Sequence, residues 1–67
     1  MGEPVRLRVP AWSIRIGDKI LDRPGEPIVK AIGHGLNGRW HVSTDSGMIG
    51  FPDRLVPVFV LREPSEV

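Results

Sequence analysis

Ile28-Val29-Lys30-Ala31-Ile32-Gly33-His34-Gly35-Leu36-Asn37-Gly38-Arg39-Trp40-His41-Val42-Ser43-Thr44-Asp45-Ser46-Gly47-Met48-Ile49-Gly50-Phe51 carries two hairpin signals, Asn37-Gly38 and Ser46-Gly47, between segments rich in Val, Ile, Trp and Thr. Asn-Gly tolerates the positive φ angles of a tight hairpin turn, so the stretch predicts a three-strand meander. A two-residue turn at Asn37-Gly38 sets Leu36 opposite Arg39, Gly35 opposite Trp40 and His34 opposite His41. A two-residue turn at Ser46-Gly47 pairs Thr44 with Ile49 and Val42 with Phe51. A three-residue turn at Asp45-Ser46-Gly47 would instead pair Val42 with Gly50, leaving Ile49 and Phe51 across from Ser43 and His41. Patterning favours the first, because it gathers Trp40, Val42, Thr44, Ile49 and Phe51 on one core-facing side. In the preceding strand, Val29 and Ala31 point to the core and Ile28, Lys30 and Ile32 point away. A bulge near Lys30, or a bend at Gly33, is expected to bring Ile32 inward.

Working outward, Val5-Arg6-Leu7-Arg8-Val9 alternates strictly, with Val5, Leu7 and Val9 on one face and Arg6 and Arg8 on the other. Pro4 and Pro10 bracket it, which suits an edge strand whose arginines face water. Gly17-Asp18 interrupts the apolar pairs around it and reads as a turn or bulge, with Asp18 bonding local backbone. Val56 to Leu61 is apolar on both faces and is expected to lie beside the Val5–Val9 strand. Residues 1–62 then form a single domain, and 63–67 a tail.

Several segments now add up to a resemblance. They are Ile14-Arg15-Ile16-Gly17-Asp18-Lys19-Ile20-Leu21, the turn Arg23-Pro24-Gly25-Glu26-Pro27, the strand Ile28 to Ile32, Trp40 to Gly47, and Pro52-Asp53-Arg54-Leu55-Val56. Together they resemble Src-homology-3-like small barrels, including KOW-type modules and the opening strands of Hint-type domains. They are also similar to small stand-alone barrels of actinobacteria and their phages. The resemblance implies an all-β fold, a five- to six-stranded barrel with a short helical turn at Pro52–Val56 before the last strand. Hint-type autoprocessing is not implied, because the chain has no cysteine, and neither is peptide binding through a tyrosine set, because it has no tyrosine.

Bulk properties narrow the function classes. A chain of 67 residues buries only about 60% of its unfolded surface, and its stability is expected at about 3–5 kcal/mol. Without cysteine there is no disulfide framework and no recognisable structural zinc site. Eight glycines and seven prolines, interspersed with β-branched residues, fit frequent turns rather than disorder. No apolar run approaches a membrane span and Met1–Pro10 lacks a signal peptide's apolar core, so a cytoplasmic protein without a membrane partner is expected. A net charge of +1 from nine basic and eight acidic residues points strongly to neither nucleic acid nor membrane.

No nucleophile elbow, phosphate loop or carboxylate pair at catalytic spacing is present, and each of Asp18, Asp22, Asp45 and Asp53 sits at a predicted turn. No catalytic residue, cofactor or metal site is expected. His34 and His41 would be cross-strand neighbours, short of a third ligand for a metal. Trp12 lies on a loop, where tryptophan suits an interface as well as it suits a lid over the barrel end. Two functions follow. One is a non-enzymatic protein-interaction or regulatory module using Trp12, His34, Leu36, Arg39 and His41. The other is a nucleic-acid binder in which Arg6, Arg8, Arg15, Lys19, Lys30 and Arg39 contact phosphates while Trp12 or His41 stacks on bases. Self-association through an edge strand is compatible with either.

Overall fold

The computed structural model describes residues 2–34 and 39–66, with His34 described by its backbone alone. It is all-β, with six antiparallel strands in two three-stranded sheets. The strands are β1 (Val5–Pro10), β2 (Lys19–Ile20), β3 (Val29–His34), β4 (Trp40–Thr44), β5 (Gly47–Phe51) and β6 (Pro57–Arg62). Strand order is β1-β6-β2 in the first sheet and β3-β4-β5 in the second. The sheets stay open, joined by an isolated Lys19–Ile28 bridge and by Val29 N–H donating to the Asp18 carbonyl at 2.9 Å.

β1 is the edge strand that its bracketing prolines predict, and it runs beside β6 with Leu7 opposite Val60 and Val9 opposite Val58. Ala11, Ile14, Ile20, Val29, Val42, Phe51, Val58 and Val60 form the buried core, with Leu7, Val9, Trp40, Ile49 and Val56 packed against it. One 3₁₀ turn follows β1 at Ala11–Ser13 and another spans Pro64–Glu66. Residues 52–55 are bends and turns.

Both hairpins depart from the expected register. In the second, Thr44 faces Gly47, Val42 faces Ile49 and Trp40 faces Phe51, so the turn residues are Asp45-Ser46 and not Ser46-Gly47. Positive φ falls on Gly47, at 122°. Thr44 Oγ1 stabilises the turn by accepting from Ser46 N–H at 3.1 Å and donating to the Gly47 carbonyl at 2.7 Å. The slip moves the pairing by an even number of positions, so four of the five expected core-facing residues hold: Val42 and Phe51 are buried, with Trp40 and Ile49 packed on the core, whereas Thr44 uses its hydroxyl in the turn.

In the first hairpin His34 faces Trp40 and Gly33 faces His41. The two histidines are therefore not opposite each other, and Trp40, expected opposite Gly35, faces His34 instead. Residues 35–39 separate the last pair, where a two-residue turn at Asn37-Gly38 would have given the other register. That turn and Leu36 lie outside the described residues. The bulge expected near Lys30 is present, between the Val29–Thr44 and Ala31–Ser43 pairs. It reverses the alternation, so Ile32 lies opposite Val42, yet Ile32, expected to turn inward, stays 37% exposed, and Ala31, expected in the core, is exposed too.

Past Val58 and Val60, the inward side of β6 ends at Arg62, which is 6% exposed. Asp18, 2% exposed, accepts Arg62 Nε at 2.9 Å and Nη2 at 2.7 Å, and Nη2 also donates to the Ser13 carbonyl at 3.0 Å. Asp18 Oδ2 further accepts Arg15 N–H at 2.9 Å. The local role expected for Asp18 is thus present, joined to a long-range one. The hydrogen bond to Asp18 raises the Arg62 pKa above its ordinary value, opposed by desolvation and assisted by the charges of Asp18 and Glu66.

Candidate functional site

The turn at Ala11–Ser13 and the 52–56 segment are tied by backbone bonds. Ala11 N–H donates to the Val56 carbonyl at 2.8 Å and Trp12 N–H to the Arg54 carbonyl at 3.0 Å. Asp53 Oδ1 accepts Leu55 N–H at 2.7 Å and holds the second turn from within. These bonds hold Trp12 (54% exposed) and Leu55 (65% exposed) close together. There, Trp12, Trp40, Arg54 and Leu55 line a hollow of about 400 Å³.

Two further hollows adjoin it through shared walls. Across Trp40 lies one of about 570 Å³, lined by Arg39, Trp40, His41, Met48, Gly50, Phe51 and Pro52. Beyond Leu55 lies one of about 310 Å³, lined by Arg8, Pro10, Leu55 and Pro57. The outcome is a run of adjoining hollows that carries three arginines and, among the described residues, no lining carboxylate. Met48, 68% exposed, stands at its far end.

Glycine shapes the hollow across Trp40. A Cβ at Gly33 would meet His41 Nε2 at 2.5 Å, so the imidazole occupies the space that a side chain there would take. On the other side of His41 in the same row is Gly50, where a Cβ would meet nothing within 4 Å. The missing side chain leaves the hollow its floor.

Of the residues proposed for partner binding, Trp12, Arg39 and His41 line this face. Leu36 is outside the described residues, and His34 is placed only by its pairing with Trp40. Met48, Arg54 and Leu55 join the face without having been expected there. Leu55 carries a readable signal, an apolar residue inside a turn sequence, whereas its link to Trp12 is tertiary.

The residues proposed for phosphate contact divide. Arg6 and Arg8 on β1 and Lys19 on β2 share the outer face of the first sheet with Phe59 and Leu61, and the Arg6 guanidinium stands 5.2 Å from the Phe59 ring centroid. Arg8 also borders the Leu55 hollow. Arg15 donates from Nη1 to the Glu66 carbonyl at 2.7 Å. Lys30 is exposed at the bulge of the second sheet, and Arg39 lies in the Gly50 hollow.

Among the described residues no three His, Cys, Asp or Glu side chains group as metal ligands, and no helix is long and apolar enough to cross a membrane. Comparison with family models, curated proteins and solved structures finds no match to this chain.

Proposed function

We propose that this chain is a small, non-enzymatic docking module of Src-homology-3-like character that binds a protein partner through the Trp12–Trp40–Leu55 face. The observation that carries the reading is the exposure of Trp12, Leu55 and Met48 along adjoining hollows. Isolated exposed apolar residues need no explanation, but a contiguous set that includes tryptophan, methionine and arginine has the composition of an interface. The backbone bonds from Ala11 and Trp12 to the 52–56 segment hold the two turns together before any partner arrives, so little ordering cost remains on binding.

The test is capture of partners from nuclease-treated source lysate by the wild-type chain and by a Trp12→Ala/Leu55→Ala variant. A protein retained by the first and lost by the second is expected. Equal retention by both would remove the face from the account.

A second reading has its own observation: Arg6, Arg8 and Lys19 share one face with exposed Phe59. Three phosphate contacts there would give single-stranded nucleic acid a log-log salt slope of about −2. Absence of binding at low salt would end that reading.

A further inference from the structure

We infer that the partner segment is acidic, and that it seats a flat apolar side chain in the hollow floored by Gly50 while placing carboxylates against Arg39 and Arg54. The inference rests on the docking reading and adds the partner's chemistry to it.

Charge complementarity supplies the acidic character. Arg8, Arg39 and Arg54 border the three hollows, and none of the described lining residues is acidic. The nearest carboxylate along the chain, Asp53, already accepts the Leu55 N–H. Arg62 and Arg15, in contrast, are committed to Asp18 and to the Glu66 carbonyl. Among the described residues neither Arg39 nor Arg54 makes a side-chain hydrogen bond or ion pair. A guanidinium held beside apolar surface gains most from a carboxylate that it can grip with two N–H groups.

Shape supplies the flat apolar group. Gly50 leaves open space beside the His41 ring, with Met48 and Phe51 among the walls. A ring inserted there would meet an imidazole and a thioether, each a favourable neighbour for a planar side chain. Trp40 borders both this hollow and the one beside Trp12, so an extended segment can occupy both. Trp12 and His41 on this face offer a base a stacking plane, but Leu55 and Met48, 65% and 68% exposed, do not, and those two favour protein over nucleic acid.

Gly50 also provides a clean test. Its φ lies outside the positive range and its Cβ position is empty, so Gly50→Val fills the hollow with a residue that suits a strand. The full chain and this variant are used to select from a phage-displayed random peptide library, with oligo(dT) as the nucleic-acid probe.

Peptides enriched on the wild type are expected to pair an aromatic residue with flanking Asp or Glu. They should lose about tenfold or more in affinity on Gly50→Val and on Arg39→Glu/Arg54→Glu. Thermal melts establish that both variants remain folded. Peptides that need Trp12 and Leu55 but show no acidic bias, or that bind Gly50→Val unchanged, would overturn the partner chemistry and leave the docking face standing. No enriched peptide, enriched peptides insensitive to Trp12→Ala/Leu55→Ala, or oligo(dT) binding that Arg39→Glu/Arg54→Glu abolishes would overturn both.

Discussion

Two regions of the molecule use arginine in opposite ways. In the Asp18 cluster, Arg62 is buried, gripped through two nitrogens and bonded again to the Ser13 carbonyl. On the Trp12 face, Arg39 and Arg54 are exposed beside exposed apolar residues. A buried charge must have its partners within the fold, because removing one leaves an uncompensated ion away from water. An exposed charge beside an apolar hollow contributes little to folding and is open to a partner. The first region serves stability, and the second is the face proposed for docking.

The largest expected effect breaks the first region. Asp18→Ala or Arg62→Ala should cost about 3–5 kcal/mol, which is comparable to the whole stability expected of a chain this small. Urea unfolding would show either variant largely unfolded without denaturant. The sign of the pH dependence follows from the raised Arg62 pKa. A raised folded-state value stabilises fully below the ordinary arginine value and is lost only as pH rises through the folded one. The guanidinium side of the pair therefore holds across the neutral and acidic range, and pH titration there should show no midpoint from Arg62.

A second substitution tests the turn that orients β4 and β5. Gly47→Ala places a side chain at φ 122° and should destabilise by about 1 kcal/mol or more. Smaller still is Gly33→Ala, whose Cβ must displace the His41 ring. Because the ring is the movable end of a side chain, the change should read as a shifted His41 resonance more than as lost stability. Smallest in stability are Trp12→Ala and Leu55→Ala, each expected to alter unfolding free energy by about 0.5 kcal/mol or less while weakening partner binding. If Trp12→Ala instead destabilises as much as Asp18→Ala, the division between the two regions fails.

What could be read from the chain follows the range of the interactions involved. The face made by Trp40, Val42, Ile49 and Phe51 was legible despite the wrong turn, because an even slip in register preserves which side each residue takes. The His34–His41 pairing was not, because an odd slip exchanges faces and the length of that connection decides the slip. The bulge at Lys30 was legible because two isoleucines would otherwise have been stranded outside. Ala31 was misplaced because the extra residue reverses the alternation.

Arg62 gave no local signal: its partner Asp18 stands 44 positions away in sequence, and an arginine at the end of an apolar strand reads as a boundary. Asp45 behaves similarly. Its turn position was plain, but its carboxylate accepts Ile28 N–H at 3.0 Å from the start of β3. The docking face combines the two cases. Trp12 was noticed as a residue type, whereas its placement beside Leu55 comes from backbone bonds between distant turns.

The most direct test of the docking face is the footprint of a selected peptide on the amide and indole resonances of the isotopically labelled chain. Shifts concentrated at Trp12, Trp40, Gly50, Arg54 and Leu55, with Asp18 and Arg62 unmoved, are the predicted result. A footprint on Arg6, Lys19, Phe59 and Leu61 would place binding on the outer face of the first sheet and contradict the account.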